Sequence, residues 1–181
     1  HWGGYDHQYQ ITMSKTLLDT AIQAALLAGE KIMAIYNNEA IAVQQKADDS
    51  PLTQADVASH HIILDALAAT NIPVLSEEGR TIPYAERKHW ERLWIVDPID
   101  GTKEFIKRNG EFTVNIALIE NQKPLMGVIY APVLGDLYFS SAALGAFKIH
   151  LKDHKADHIE TLIKQATALP VQQTLLHYTV L

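Results

Sequence analysis

The spacing of apolar residues predicts two amphipathic helices in the N-terminal part of the chain. The first helix is expected to begin with Ser14 as its N-cap and to reach about Asn37, because Leu, Ile and Ala residues recur along one helical face between these positions. The second is expected to begin with Thr53 as its N-cap and to end before Pro73. A short strand over residues 41–45 is predicted between them.

Short apolar runs after the helices predict β-strands. Two of these runs, residues 74–75 and 93–96, end directly at acidic residues. The later runs alternate between apolar and polar positions and are separated by turn residues, which is typical of an antiparallel meander. Its strands are expected over residues 112–120, 125–131, 137–140 and 146–149. Residues 150–181 begin as a polar, helix-like segment and then lose any pattern.

These elements predict an α/β protein with α+β layers, in which two N-terminal helices pack on a mainly antiparallel sheet. A length of 181 residues fits one domain with a sizeable core. We expect an added leader or a disordered segment over 1–12, the α/β domain over 13–149, and a diverged or truncated tail over 150–181. A sheet face left uncovered by a missing segment would favour homo-oligomers.

Composition narrows the chemistry that the chain can perform. The absence of Cys excludes thiolate nucleophiles, zinc fingers and iron–sulfur clusters, so a metal must bind to oxygen or imidazole. The net charge of −6 argues against nucleic acid as a partner. A small phosphorylated substrate remains open because bound cations can reverse the local field. The sequence shows neither a signal-peptide pattern nor an apolar run long enough for a transmembrane segment.

Acidic residues follow two predicted strand ends and are expected to converge. Asp97 and Asp100 flank Pro98, which restricts how far the two carboxylates can diverge, and Glu77 follows the neighbouring strand. Two like charges about 4 Å apart repel by roughly 4 kcal/mol at an effective dielectric constant of 20, and a divalent cation would relieve this repulsion. Carboxylates, the Ile99 carbonyl and water are oxygen ligands, which favour Mg²⁺ or Mn²⁺ over zinc.

A helical turn is predicted to begin directly after this acidic segment. Gly101 allows close approach of a ligand, and the free N–H groups from Gly101 and Thr102 onward suit a phosphate oxygen. Metal and phosphate would therefore meet in one loop, as metal-assisted hydrolysis of a phosphate ester requires. A surface turn followed by a capped helix explains the same residues about equally well.

Three segments occur in the order found in the inositol monophosphatase superfamily: Pro51-Leu-Thr-Gln-Ala-Asp56, Leu75-Ser-Glu-Glu78 and Trp94-Ile-Val-Asp-Pro-Ile-Asp-Gly-Thr102. Within this superfamily, residues 100–118 resemble the bacterial 3′(2′),5′-bisphosphate nucleotidases. Inositol phosphatases usually carry Thr-Asn-Phe where this chain has Lys-Glu-Phe at 103–105. The resemblance extends from about Ser14 to Lys148.

The resemblance implies the family's layered αβαβα sandwich, of which this chain would hold the N-terminal part. It also implies Mg²⁺-dependent removal of the 3′-phosphate from adenosine 3′,5′-bisphosphate to give AMP and phosphate, with Mn²⁺ as a substitute and Li⁺ as an inhibitor. A role in sulfur metabolism and a cytoplasmic location follow from the same resemblance, with peripheral attachment to the inner membrane as an alternative.

The resemblance also assigns roles by position. It makes the Glu77, Asp97 and Asp100 carboxylates and the Ile99 carbonyl metal ligands. Gly101 and Thr102 would bind the phosphate, and Asp56 with Thr102 would activate the attacking water. Lys46 and Asp49 match residues near a third metal ion or the phosphate, although a solvated loop explains them equally well. Glu78 is expected to face away from the site if the strand continues through it.

The chain departs from the family pattern in one respect. The family carries a further carboxylate in a Trp-Asp-x-Ala motif, whereas Trp occurs here only at positions 2, 90 and 94 and is never followed by Asp. We therefore expect weak binding of a second ion and low or no turnover.

Three alternatives remain open. The first is inositol monophosphatase activity, and the second is a catalytically inactive module that binds metal or oligomerises. The third is a haloacid-dehalogenase-type phosphatase, which would form an aspartyl-phosphate on Asp97. The nucleophile loop of that class, Asp-x-Asp-Gly-Thr, differs by one residue from the spacing in this chain.

Overall fold

The computed structural model describes residues 3–38, 51–152 and 157–170, with the backbone alone for 3–7 and 51. The described residues form one seven-stranded sheet whose strands lie in sequence order. The strands are β1 (Val74–Ser76), β2 (Arg92–Asp100), β3 (Thr113–Glu120), β4 (Lys123–Ala131), β5 (Asp136–Ser141), β6 (Gly145–His150) and β7 (Thr167–Leu169). Only the β1–β2 pair is parallel within this sheet, which confirms the predicted, mainly antiparallel α/β fold and its meander.

The helices of the described ranges are α1 (Gly3–Tyr36), α2 (Pro51–Ala68), α3 (Tyr84–Arg87), α4 (Thr102–Lys107) and α5 (Ile159–Gln165). Helix α1 packs against α2, β3, β4 and β5, while α2 packs against β1 and β2. Alternate strand positions supply the core on this face because successive side chains of a strand point to opposite sides. Its largest buried strand residues are Trp94, Val96, Ile116, Leu118 and Leu137.

The opposite face of the sheet is more exposed. Ile95 of β2 and Ile129 of β4 lie on this face and are 42% and 47% exposed. Singly exposed apolar residues are ordinary on a protein surface, so these two do not test the expectation of incomplete cover. Self-association through this face stays a prediction.

Helix α1 begins eleven residues earlier than the sequence pattern predicts, at Gly3 instead of Ser14. The prediction of Ser14 as an N-cap is therefore wrong. The hydroxyls of Thr12 and Thr16 donate to the carbonyls of Gln8 and Thr12, at 3.0 and 3.1 Å, so these polar residues continue the helix and do not cap it. Although α1 is 34 residues long, none of the helices in the described ranges has the length and apolar composition needed to cross a membrane. The assignment of residues 1–12 as a leader stays a prediction.

Helix α2 also begins earlier than expected, at Pro51, so that Thr53 lies within its first turn and is not its N-cap. Proline is well suited to the first turn of a helix because the N–H that it lacks would have no partner there. The helix ends at Ala68, before Pro73, as predicted. The strand predicted over 41–45 lies outside the described residues, as do Lys46 and Asp49.

Part of the predicted tail forms regular structure that belongs to the domain. Strand β7 pairs with β6, and helix α5 packs against α1 and β6 with Leu162 fully buried. Because α5 has only seven residues, it depends on these tertiary contacts more than on its own propensity. Residues 171–181 lie outside the described ranges, and the predicted boundary at 150 stays a prediction.

Asp19 of α1 connects this helix to the start of α5. Its two carboxylate oxygens accept hydrogen bonds from the Ile159 backbone amide and the His158 ring Nδ1, each at 2.8 Å. The Ile159 amide opens a helix and has no acceptor within it, so Asp19 caps α5 from another helix. The hydrogen bond between Asp19 and the His158 ring raises the pKa of His158.

We expect Asp19→Ala to lower the free energy of unfolding by about 1 kcal/mol, the usual loss on removing an N-cap acceptor. Amide hydrogen exchange should become faster selectively in α5. Lys15→Ala is the matched control because Lys15 also bridges α1 and α5, to Glu160, through an exposed ion pair of little net value. Equal effects of the two substitutions would contradict the capping role.

Candidate metal and phosphate site

A β-bulge places the two aspartates of β2 on the same face of the sheet. Asp97 lies opposite Asn115 of β3, and Asp100 lies opposite Thr113. Between these pairs β2 has two residues, Pro98 and Ile99, where β3 has only Val114. Residues three positions apart in a regular strand would point to opposite faces. Asn115 and Thr113 share a face, and cross-strand partners point to the same side, so the bulge brings Asp97 and Asp100 together. Strand β2 therefore continues through Asp100 and does not end at Val96 as predicted.

Glu77 reaches the same place from the neighbouring strand. Because β1 is parallel to β2 and pairs Ser76 with Val96, Glu77, which follows the last residue of β1, comes level with Asp97. The Glu77 amide donates to the Val96 carbonyl at 3.1 Å, and the Glu77 carboxylate is close enough to Asp97 to raise the pKa of Asp97. Acidic residues from the ends of β1 and β2 thus lie near each other, while the convergence of Glu77, Asp97 and Asp100 on one point and their role as metal ligands stay predictions.

The environment of Asp97 disfavours its charged form. Burial, the charges of Glu77 and Asp100 and the hydrogen bond with Glu77 raise the pKa of Asp97 to about 6, and a hydrogen bond from the Ile99 backbone opposes this rise. The pKa of Asp97 thus reports negative charge concentrated at the ends of β1 and β2.

Asp56 of α2 is a buried acid beside this pair, with 9% of its surface exposed. Burial first, and then the charges of Glu78, Asp97 and Glu77 in that order, raise the pKa of Asp56 to about 7. Glu78 is exposed, and its charge raises the pKa of Asp56 more than that of Asp97 does. The expectation that Glu78 faces away depended on the strand continuing through it. Strand β1 ends at Ser76 and residues 77–79 form a turn, so the alternation of strand side chains does not reach Glu78.

The donors at this site fit a hard divalent cation in their chemistry. They are carboxylate oxygens, which Mg²⁺ prefers, and their mutual effects on pKa indicate concentrated negative charge. In the described part of the chain, no three His, Asp or Glu side chains already surround one point closely enough to hold an ion. The pairwise contact of Glu77 with Asp97 is therefore the nucleus of the proposed centre, and other ligands would have to close around it.

Gly101 forms the sharp turn between β2 and α4. Its φ of +97° lies in the left-handed region, which side chains disfavour, and a Cβ there would lie 2.9 Å from the Glu111 carbonyl oxygen. Helix α4 begins at Thr102, as predicted, and the Phe105 amide donates to the Gly101 carbonyl at 2.9 Å. Thr102 is exposed at the start of this helix. The loop geometry is therefore the predicted one, while phosphate binding by these two residues stays a prediction.

We expect Gly101→Ala to lower the free energy of unfolding by about 2 kcal/mol, because alanine combines an unfavourable φ with a close backbone contact. Urea denaturation of the chelated protein measures this loss without involving a ligand. Gly127→Ala is the control because a Cβ at Gly127 meets only the Ser140 hydroxyl, at 4.0 Å. A loss at Gly101 no larger than that at Gly127 would contradict the strain argument.

Two residues that the sequence analysis did not select hold the acidic segment in place. The hydroxyl of Ser59, fully buried on α2, donates to the Pro98 carbonyl at 2.9 Å. The side-chain amide of Asn115 donates to Asp100 Oδ2 at 3.0 Å. Asn115 could have been selected from the sequence, because asparagine is uncommon inside strands. Ser59 could not, because a serine within a helical pattern does not indicate a buried hydrogen bond.

The remaining predicted partnership is that of Asp56 with Thr102. Helices α2 and α4, which carry these residues, contact each other. The groups that dominate the surroundings of Asp56 are nevertheless acidic side chains of other elements, with Glu78 first among them. Joint activation of water by Asp56 and Thr102 stays a prediction.

The fold and this cluster define a member of a known phosphatase family. The chain belongs to the inositol monophosphatase family, whose model matches residues 13–176. This assignment confirms the resemblance and overturns the haloacid-dehalogenase-type alternative.

Two bacterial proteins named CysQ are similar to the chain. It is 54% identical over 132 residues to the 3′(2′),5′-bisphosphate nucleotidase CysQ of Shigella flexneri, which covers 71% of this chain and 52% of that protein. Its structure is similar to the crystal structure of CysQ from Bacteroides thetaiotaomicron, with a TM-score of 0.80 and 48% identity over 88% of this chain and 59% of that chain.

The inositol monophosphatase from Anabaena is also similar, with a TM-score of 0.59 and 30% identity over 76% of this chain and 46% of that chain. The chain spans about half the length of the curated relatives that it matches. These comparisons therefore assign the family and fold, while the activity of the whole protein is a matter for proposal.

Proposed function

We propose that the protein is a Mg²⁺-dependent phosphomonoesterase that removes the 3′-phosphate of adenosine 3′,5′-bisphosphate and gives AMP and phosphate. The observation that carries this proposal is the contact between Glu77 and Asp97 at the bulge, with Asp100 on the same face. Carboxylates that converge at strand ends, beside a glycine turn, suit a metal-assisted phosphatase.

The proposed roles follow from position and environment. Glu77, Asp97, Asp100 and the Ile99 carbonyl would hold Mg²⁺, with Mn²⁺ as a substitute and Li⁺ as an inhibitor. Once bound, the cation would neutralise phosphate charge and lower the pKa of a water molecule.

The remaining groups would act on water and phosphate. The Asp56 carboxyl, whose pKa is raised to about 7, would accept a proton from the attacking water near neutral pH, with the Thr102 hydroxyl orienting that water. Gly101 and Thr102 would contact the phosphate through the turn at the start of α4.

A nucleotide substrate is the first candidate because the Shigella flexneri protein reported above, at 54% identity, is named as a 3′(2′),5′-bisphosphate nucleotidase. The Lys-Glu-Phe sequence at 103–105 supports the same choice. Inositol monophosphatase activity is the second candidate, supported by the similarity to the Anabaena enzyme. The cytoplasmic location implied by the resemblance stays a proposal.

We further propose that the 181-residue chain by itself turns over slowly or not at all. No Trp in the sequence is followed by Asp, so the family's further carboxylate motif is not found. A centre with one carboxylate fewer should bind its second ion weakly, and phosphate-ester hydrolysis with two ions depends on both. The third candidate is accordingly a module that binds metal or oligomerises without catalysis.

Phosphate release from adenosine 3′,5′-bisphosphate and from inositol 1-phosphate, with Mg²⁺ or with a chelator, separates these candidates. We expect release only with Mg²⁺, faster with the nucleotide, and reduced at least about 100-fold by Asp97→Asn. Asp65→Asn is the control because Asp65 is an exposed acid elsewhere on α2.

Release that persists in the chelator or in Asp97→Asn would contradict the proposed mechanism. Faster release from the inositol phosphate would favour the second candidate. Mg²⁺ binding without any release would favour the inactive module.

A further inference from the structure

We infer that Asn115 is a positioning residue that fixes the Asp100 carboxylate for cation binding, and that Thr113 fixes Asn115 in turn. The Thr113 hydroxyl donates to Asn115 Oδ1 at 2.9 Å, and Asn115 Nδ2 donates to Asp100 Oδ2 at 3.0 Å. This inference rests on the proposed function, because it requires that Asp100 is a ligand of the cation.

The direction of this chain of hydrogen bonds is determined by chemistry. An ionised carboxylate only accepts hydrogen bonds, so Asn115 must turn its NH₂ group toward Asp100. Its carbonyl oxygen then faces the other way and needs a donor, which the Thr113 hydroxyl provides. A flipped amide would place its oxygen against the Asp100 carboxylate, which is also an acceptor. Asp100 therefore sets the orientation of the amide, and the Thr113 hydroxyl holds it by donating to the amide oxygen.

The bulge explains why one asparagine can reach this position. Asn115 is the direct cross-strand partner of Asp97, yet its side chain bonds to Asp100, which pairs with Thr113. Asn115 thus lies between the two aspartates on the face that they share. A residue in the same position of an unbulged pair would have only one of these carboxylates on its own face.

Asp100 needs an external partner to hold one orientation. It is exposed, unlike Asp97, and an exposed side chain loses rotamer freedom when it must hold a fixed geometry. The hydrogen bond to Oδ2 restricts that freedom before any cation binds and leaves Oδ1 available as a ligand. Partners of this kind around metal ligands change affinity by roughly 10 to 100-fold when they are removed.

A purely structural role does not account for these residues equally well. Asparagine is depleted in strands, and Ala117 and Ile119, which follow Asn115 on the same face of β3, are apolar. An apolar residue at position 115 would therefore suit the strand at least as well. The polar pair is explained by the carboxylate that it contacts.

Manganese binding to the 181-residue chain, measured by electron paramagnetic resonance of free Mn²⁺, tests the inference without requiring turnover. Asn115→Leu keeps the side-chain size but removes both hydrogen bonds, and we expect it to weaken Mn²⁺ binding about tenfold. Thr113→Val removes only the hydroxyl that donates to Asn115 Oδ1 and should weaken binding by less than Asn115→Leu does, because the hydrogen bond to Asp100 itself remains. Ser140→Ala, which changes a polar residue on the same sheet face two strands away, should leave binding unchanged.

A second arm separates positioning from structural damage. In an Asp100→Asn background, Asn115→Leu should have no further effect on Mn²⁺ binding, because the carboxylate through which Asn115 acts is gone. Urea denaturation in the chelator should show that each variant is as stable as its parent to within the error of the midpoint. If Asn115→Leu fails to fold, Thr113→Val carries the test.

The outcomes distinguish the inference from the proposed function. Failure of the unsubstituted chain to bind Mn²⁺ would overturn the proposed metal centre and this inference together. Normal Mn²⁺ binding by the unsubstituted chain and by both single variants would overturn the inference alone. An equal loss on Asn115→Leu with and without the Asp100 carboxylate would also overturn it, because Asn115 would then act by another route.

Discussion

Replacing Asp97 with Asn is expected to abolish the stabilisation of the chain by Mg²⁺ and, in a chelator, to make the chain more stable. Without a cation at pH 8, ionised Asp97 is repelled by Glu77 and Asp100, which is why the pKa of Asp97 is raised. Asparagine keeps the shape and removes one charge from this cluster. The same substitution removes the carboxylate that lies between the other two proposed ligands.

The size of the Mg²⁺ effect follows from mass action. A ligand that binds only the folded chain stabilises it by about 2.7 kcal/mol when its concentration is a hundred times its dissociation constant. We expect the unsubstituted chain to gain about 2 to 3 kcal/mol under these conditions and Asp97→Asn to gain less than about 0.5 kcal/mol. Urea denaturation at pH 8, with Mg²⁺ and with a chelator, measures both values.

Asp65→Asn is the matched control, because it removes one negative charge from an exposed site on α2. It should leave the Mg²⁺ effect intact. If Asp97 is a ligand, Asp97→Asn should raise the free energy of unfolding in the chelator and lower it in Mg²⁺, relative to the unsubstituted chain. An acid that serves only the fold would not show this reversal. Equal stabilisation of Asp97→Asn and the unsubstituted chain by Mg²⁺ would show that Asp97 is not part of a cation site.

The meander could be predicted from sequence because its strands have one buried face. In β3, Val114, Ile116 and Leu118 are buried while the residues between them are not, and this period of two has no helical counterpart. The start of α1 could not be predicted in this way. Thr12 and Thr16 are typical of caps, but in the folded chain they donate to carbonyls one turn back and the helix continues.

The proximity of the acidic residues could also be predicted, because Glu77 and Asp97 closely follow two apolar runs that were expected to form neighbouring strands. Their detailed arrangement could not. The bulge that turns Asp100 to the face of Asp97 depends on the register of β2 against β3, and this register is a property of the sheet. The position of Glu78 likewise depends on where β1 stops.

The contacts of α5 with α1 could not be predicted from the local sequence of either helix. Asp19 and His158 are 139 residues apart in the sequence, and nothing in the local pattern of either residue indicates the other. A seven-residue helix also carries too little periodicity for a firm prediction. The polar tail was recognised as helix-like, but its packing on the domain depends on tertiary contacts alone.

Without a cation, the stability of the chain relative to Asp56→Asn is expected to fall as the pH rises from about 4 to about 7. The folded chain holds the Asp56 proton up to a pKa of about 7, whereas an unfolded chain releases it near the ordinary aspartate value of 3.8. Between these values the folded state binds more protons, so a rise in pH favours unfolding. Below this range both states are protonated, and above it the loss is constant.

The unscreened shift in the pKa of Asp56 corresponds to about 4 kcal/mol, at about 1.4 kcal/mol per pKa unit. We expect the stability of the chain relative to Asp56→Asn to fall by about 2 kcal/mol over this pH range, because Glu77 and Glu78 are exposed and solvent screens their charges. The difference between the two chains is the relevant quantity, since other groups also make the stability of both chains depend on pH. His60 and Asp136, whose pKa values are lowered, make both chains more stable as the pH rises, and Asp97 and His158, whose pKa values are raised, make both less stable.

Urea denaturation of both chains in a chelator, at several pH values from 4 to 8, measures this difference. Asp65→Asn, as an exposed acid of the same helix, should show no comparable trend. Saturating Mg²⁺ should reduce the fall, because a cation near Asp56 favours its ionised form and offsets the charges of Glu77 and Asp97. A stability difference that is constant across this range would mean that Asp56 ionises as freely in the folded chain as in solution. Asp56 would then have no raised pKa with which to accept a proton from water near neutral pH.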